Sequence, residues 1–248
     1  MKTANKYLTG NPAHTEFLDQ LQLKSVGHKI HFWKYEADEV SPEIAAAANR
    51  IQFAVRDCVS RIARLASDAT KTTPLQNEAA RQLHDRLATH VAKDIAFIRT
   101  KASSDAEAAK QRAFATIGAD PDKAALYQEI RAYCMSRRAD PAFPAELSKM
   151  VRESRDVAAA LNAAPAFLAG ISEDRRMGLI LDAVQHFAPE DSAAMLHATD
   201  VGKEADKLEQ GMRKLKAAAY DTAQSNKARD TFVDPAAPFA APPAEAAE

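Results

Sequence analysis

Seven histidines and two cysteines are the residues of this chain best suited to hold a metal or attack a substrate. A helical metal site needs imidazoles that share a face with one another and with a carboxylate, as HExxH arranges through its i, i+4 pair. His28 and His31 stand three residues apart and His84 and His90 six apart; neither pair shares a helical face with a carboxylate, and no HExxH occurs. Carboxylate-bridged di-iron bundles project Glu-x-x-His pairs inward. Glu78, Glu107, Glu146 and Glu153 have no histidine three residues on. Cys58 and Cys134 are far apart, form no CxxC pair and have no histidine set beside them as a base. There is no GxSxG elbow and no glycine-rich phosphate loop, and the chain has 7 glycines in all. The sequence therefore predicts no catalytic residue, no cofactor and no metal, and a protein that is not an enzyme.

Two other clusters bear on binding. Arg50, Arg61 and Arg64 fall on one flank of a predicted helix, where a row of cations could meet phosphates. Asp57 sits within that flank, four residues before Arg61, at the spacing of a helical ion pair. A solvated, salt-bridged face is the favoured reading, with a nucleic-acid groove second. His31-Phe32-Trp33-Lys34-Tyr35 interleaves rings with basic groups, a composition that can stack on bases or pack an arm against protein. Interfaces concentrate Trp and Tyr, and Phe32, Trp33 and Tyr35 are candidate partner-binding residues.

The elements that must position these groups are helical. Roughly a fifth of the chain is Ala, the best helix former, whereas aromatics make up 6%. Charged residues (27%) nearly cancel, to a net charge of −1, which does not indicate a strongly basic nucleic-acid binder. Ser41-Pro42, Thr73-Pro74, Asp120-Pro121 and Asp140-Pro141 each set a capping side chain before a proline, and Ser172-Glu173-Asp174 is a fifth start. Residues 42–66 carry Ile44, Ala48, Ile51, Val55, Cys58, Ile62 and Leu65 in alternating fours and threes, with Phe53 and Val59 off that seam, so this helix is expected to bury more than one face. From Leu75 through Leu83, Leu87, Val91, Ile95 and Ile98 to Ile117 the same spacing predicts one long helix ending at Gly118, although Ser104 and Glu107 have capping-box spacing. Further helices are expected over 121–138 (Leu126, Tyr127, Ile130, Tyr133 and Cys134 inward), 144–163 (with Ser154 on the inner stripe) and 173–187 (Met177, Ile180, Leu181, Val184 and Phe187 inward).

The last helix starts near Glu190, with a seam of Ala194, Ala198, Val201, Ala205, Leu208, Met212, Leu215 and Ala219. That seam is expected to be buried in the bundle or against a partner, which makes Leu208, Met212 and Leu215 further candidate partner-binding residues. Short connections imply antiparallel neighbours. The fold class is therefore all-α: a helical bundle with long, partly coiled-coil antiparallel helices. Residues 1–40 form an aromatic N-terminal arm, 41–230 the bundle and 231–248 a disordered Ala/Pro-rich tail. Residues 11–23 are expected to hold a short helix in the arm, and 28–35 an irregular or extended stretch. No secretory signal and no membrane span are expected; 157–172 lacks charge but contains Asn162, Pro165 and Gly170, as a buried bend would.

Ala164-Pro165-Ala166-Phe167-Leu168-Ala169-Gly170-Ile171-Ser172, the charged turn 173–176 and Ala188-Pro189-Glu190 together resemble a segment that recurs in uncharacterised helical proteins encoded among the virion genes of tailed bacteriophages and prophages. The resemblance covers residues 163–219 and transfers no catalytic residue. It implies a virion or host-cytoplasmic setting. The expected function is that of a structural or assembly protein acting through protein–protein contacts in a homo- or hetero-oligomer. A nucleic-acid-associated protein using Arg50, Arg61, Arg64 and the N-terminal arm is the alternative. No small-molecule substrate is indicated.

Overall fold

A computed structural model describes residues 7–22 and 33–230. Among them the chain is all α. It runs through α1 (Pro12–Gln22), α2 (Pro42–Ser67), α3 (Thr73–Thr116), α4 (Ala124–Ser136), α5 (Phe143–Glu153), α6 (Arg155–Asn162), α7 (Glu173–Phe187), α8 (Pro189–Ala219) and α9 (Thr222–Asp230), with 3-10 turns at Pro121–Lys123 and Ala166–Ala169 and no strand among the described residues. Five of these helices have close to the expected span: α1, α2, α3 as one continuous helix, α7 and α8.

Local chemistry sets the helix ends. Asp120 Oδ1 accepts the Asp122 N–H at 3.0 Å and Ser172 Oγ that of Arg175 at 3.2 Å, each relieving a donor that the first turn leaves orphaned. Asp140 Oδ1 accepts the Ala142 N–H at 2.9 Å in the turn ahead of α5, whose own N-cap is Ala142. Two further expected caps also work otherwise. At α2 the backbone carbonyl of Ser41 accepts the Ala45 N–H at 2.9 Å while its hydroxyl has no partner. At α3 it is Thr72 whose carbonyl accepts Gln76 N–H at 2.9 Å, placing Thr73 inside the helix.

The described residues fall into two compact units, one of residues 7–22, 33–97 and 206–230, the other Ile98–Ala205; the tail expected over 231–248 lies outside the described residues. In the first unit α1 buries Leu18 and Leu21 and packs on α2. α2 turns Ile44, Ala47, Ala48, Ile51, Val55, Cys58, Val59 and Ile62 inward. α3 buries Leu87 and Val91 as expected, but its opening turns depart from the stripe: Asn77, Ala80 and His84 are buried, whereas Leu75 is exposed and Ala79 and Leu83 are half-buried. Two polar groups pull the helix round. Asn77 Oδ1 accepts the Asp221 N–H at 2.7 Å, and His84 Nε2 lies 3.3 Å from the Met212 carbonyl. Asn77 meets Asp221 and the later His84 meets the earlier Met212, so α3 and α8 run antiparallel in this unit. α9 was not foreseen as a separate helix; Asp221 Oδ1 starts it by accepting the Ala223 N–H at 2.8 Å.

In the second unit Phe143, Leu147, Val151, Val157, Leu161, Ile180 and Val184 form the core with Ala113, Ile117 and Cys134. The expected continuous helix over 144–163 breaks at Ser154. That residue ends α5 in an extended conformation (φ −132°, ψ 115°) and starts α6 by accepting the Val157 N–H through Oγ. α7 buries Ile180 and Val184 as expected, but with Leu179 and Ala183 beside them, while Met177 and Leu181, expected inward, are exposed. Leu126 and Tyr133, expected inside α4, also face outward. Gly170 sits at φ 69° beneath α4, where a Cβ would lie 3.0 Å from Met135 Sδ; glycine is the residue that reaches this left-handed turn without clash.

Candidate functional site

α2 buries the face that carries Val55 and Ile62, and α3 buries the face that carries Ala80, His84 and Leu87. The flanks they turn toward each other are left open. A groove of about 520 Å³ lies between them, with Ala54, Cys58, Leu83 and Leu87 among the residues lining it. Phe53 stands in the lining with 70% of its surface exposed. The groove shares Arg61, Leu83 and Arg86 with an adjoining concavity of about 600 Å³ that continues to Arg64 and Asp68. Asp68 secures the turn at that end: its Oδ1 accepts the Thr70 N–H at 3.0 Å, and its carbonyl accepts Gln76 Nε2 at 2.7 Å.

Arginines border this trough. Arg50 donates through Nε to Asp94 Oδ1 at 3.1 Å, and that bond holds its guanidinium still more firmly protonated. Arg61 pairs with Asp57 at 2.8 Å, the partner its spacing indicated. Arg64 and Arg86 line the trough with no carboxylate partner among the described residues. The Cys58 thiol is pushed up to about 11 by burial and by Asp57 beside it, so at neutral pH it is a small apolar group rather than a nucleophile. Among the described residues no group of three or more His, Cys, Asp or Glu side chains is placed to hold a metal. What the trough offers is shape, apolar surface and positive charge.

The residues singled out for partner binding lie elsewhere. Phe32 falls outside the described residues. Trp33, expected on a free arm, is 4% exposed, with the Tyr35 ring set edge-on to it at 5.6 Å. Tyr35 itself is half-buried under the Lys34 ammonium, 4.8 Å from its centroid. An indole buries more apolar surface than any other side chain, and here that surface is used within the chain. Leu208, Met212 and Leu215 are all buried, closing the seam of α8 inside the protein. Phe53 was legible as the ring off the α2 seam, but its partner Val59 is buried and Phe53 is not; the expectation of a second buried face holds for one of the two. A smaller apolar display occurs in the second unit, where Phe167 and Leu168 project from their 3-10 turn.

No protein-family model, curated protein or solved structure matches the chain. No helix of the described residues is long and apolar enough to cross a membrane.

Proposed function

We propose that the protein is a structural or assembly component that works through protein–protein contacts, with the trough between α2 and α3 as its contact face. Phe53 carries this reading. A phenylalanine 70% exposed beside the half-buried Leu83 and a buried thiol leaves apolar surface in water that a partner would cover at a gain of roughly 25 cal/mol per Å². The resemblance of residues 163–219 to helical proteins of tailed-phage virion gene clusters supports a phage particle, or the infected host's cytoplasm, as the setting. The test compares proteins co-purifying with the parent chain and with Phe53→Asp, whose fold is checked by circular dichroism. A stoichiometric partner held by the parent and lost by the variant is expected. Retention of the same partners by the variant, or no partner for either, refutes the reading.

A further inference from the structure

We infer that the trough between α2 and α3 receives an amphipathic helix with acidic flanks, presented by a partner protein. This rests on the protein-binding reading above and adds the chemistry of the partner. Length comes first. The lining on α2 runs from Arg50 to Asp68, which at 1.5 Å per residue is roughly 27 Å, the reach of about five helical turns. The α3 wall runs from Ala79 to His90, so the stretch walled on both sides is roughly 17 Å, about three turns, and with an exposed ring and a leucine ledge it suits the spaced apolar anchors of a helix laid in a groove.

Charge decides the flanks. Arg50, Arg61, Arg64 and Arg86 line the trough against Asp57 and Asp68. Arg50 is held by Asp94, and Asp57 and Asp68 are taken up by Arg61 and Lys71. Arg64 and Arg86 remain with no carboxylate partner among the described residues, and an incoming Glu or Asp would supply one to each.

A polynucleotide fits these groups less well. A phosphate backbone needs an unopposed run of cations, whereas Asp57 takes up Arg61 in the middle of the row and leaves only the separate charges of Arg64 and Arg86. Phe53 stands as a single ring, whereas single-strand binding uses successive stacking platforms.

The test uses the full chain and three fluorescein-labelled synthetic helices of about 20 residues. All share one leucine stripe and differ in having Glu, Gln or Lys on the flanks; binding is read by fluorescence anisotropy at low and at physiological salt. The Glu helix should bind several-fold and up to about tenfold tighter than the Gln helix, as two newly made exposed ion pairs imply, and the Lys helix should not bind. Phe53→Ser should weaken every helix that binds. The double variant Arg64→Glu, Arg86→Glu should lose the Glu helix and gain the Lys helix, a swap that simple misfolding cannot produce. Lys149→Ser, on α5 outside the trough, should leave binding intact.

Equal binding of the Glu and Gln helices overturns the inference, as does Glu-helix binding that survives both trough variants. Displacement of the Glu helix by duplex DNA of similar length would give the trough to nucleic acid instead. Self-association of the chain that Phe53→Ser abolishes would give it to a second copy. A natural partner lost on Phe53→Asp, together with no binding of the Glu helix, defeats this inference and leaves the protein-binding reading standing.

Discussion

Asn77 and Asp221 lie 144 residues apart and meet at 2.7 Å, the side-chain oxygen of the first accepting the backbone N–H of the second. The amide nitrogen of Asn77 donates to the Thr73 carbonyl at 2.9 Å, so both ends of this buried side chain are used. The contact ties the first turns of α3 to the junction between α8 and α9. Ser225 on α9 strengthens it, donating to Glu78 Oε2 at 2.7 Å.

Replacing Asn77 by Ala should therefore destabilise the first unit by about 1–3 kcal/mol, the cost of stranding the N–H of the half-buried Asp221 and leaving a small void. Urea unfolding followed by circular dichroism measures it. Unchanged stability would mean that water supplies the missing acceptor.

Glu78 gives the same junction a pH dependence. Hydrogen bonds from Arg81, then from Ser225 and Gln82, hold its carboxyl at about 2, below the ordinary 4.5. A folded-state value below the unfolded one means the stabilisation is fully present above about pH 4.5 and is lost as pH falls toward 2. Glu78→Gln should flatten that part of the acid-unfolding profile while leaving the neutral region with its own, lower baseline. A variant whose profile runs parallel to the parent's throughout would show that the carboxylate is not differentially bound.

Leu215 is fully buried on α8 and Leu208 nearly so. Leu215→Asp should cost several kcal/mol by placing an unpaired charge in the core, and Leu215→Ala about 2–5 kcal/mol. Since the seam closes within the chain, both losses should be independent of protein concentration. A destabilisation that disappears on dilution would place the seam at an interface between molecules.

Trp33 is the chain's one tryptophan, and its burial makes it a reporter. Emission should be blue-shifted and poorly quenched by iodide in a monomer, and should shift red on unfolding. Red-shifted, readily quenched emission from the folded monomer would return Trp33 to the partner-facing role that the ring-rich run 31–35 had suggested.

The fold class and most helix boundaries were legible because they depend on local chemistry. Pro42 at the first helical position, Ser172 as a cap and the spacing from Ala198 to Leu215 need only near neighbours in sequence. The departures arise where a distant group intervenes. Leu75 and Leu83 had the better claim to the core by hydrophobicity, but Asn77 and His84 rotate α3 toward backbone groups at Asp221 and Met212. Ser154 matched an inner stripe, yet a hydroxyl within reach of the Val157 N–H breaks the helix there. The trough was half legible: the Arg61–Asp57 pair follows from spacing, whereas the exposure of Phe53 depends on how α3 lies beside α2.

Site-specific photocross-linking from position 53 tests the proposed contact face most directly. A benzophenone amino acid replaces Phe53 in one sample and Lys149 in a control, and each chain is irradiated in extract of the cells that make it. An adduct with a second protein from position 53 and not from 149, mapping to an acidic helical segment, is the predicted result. No adduct from position 53, or the same adduct from both positions, would contradict the assignment of the α2–α3 trough as the binding surface.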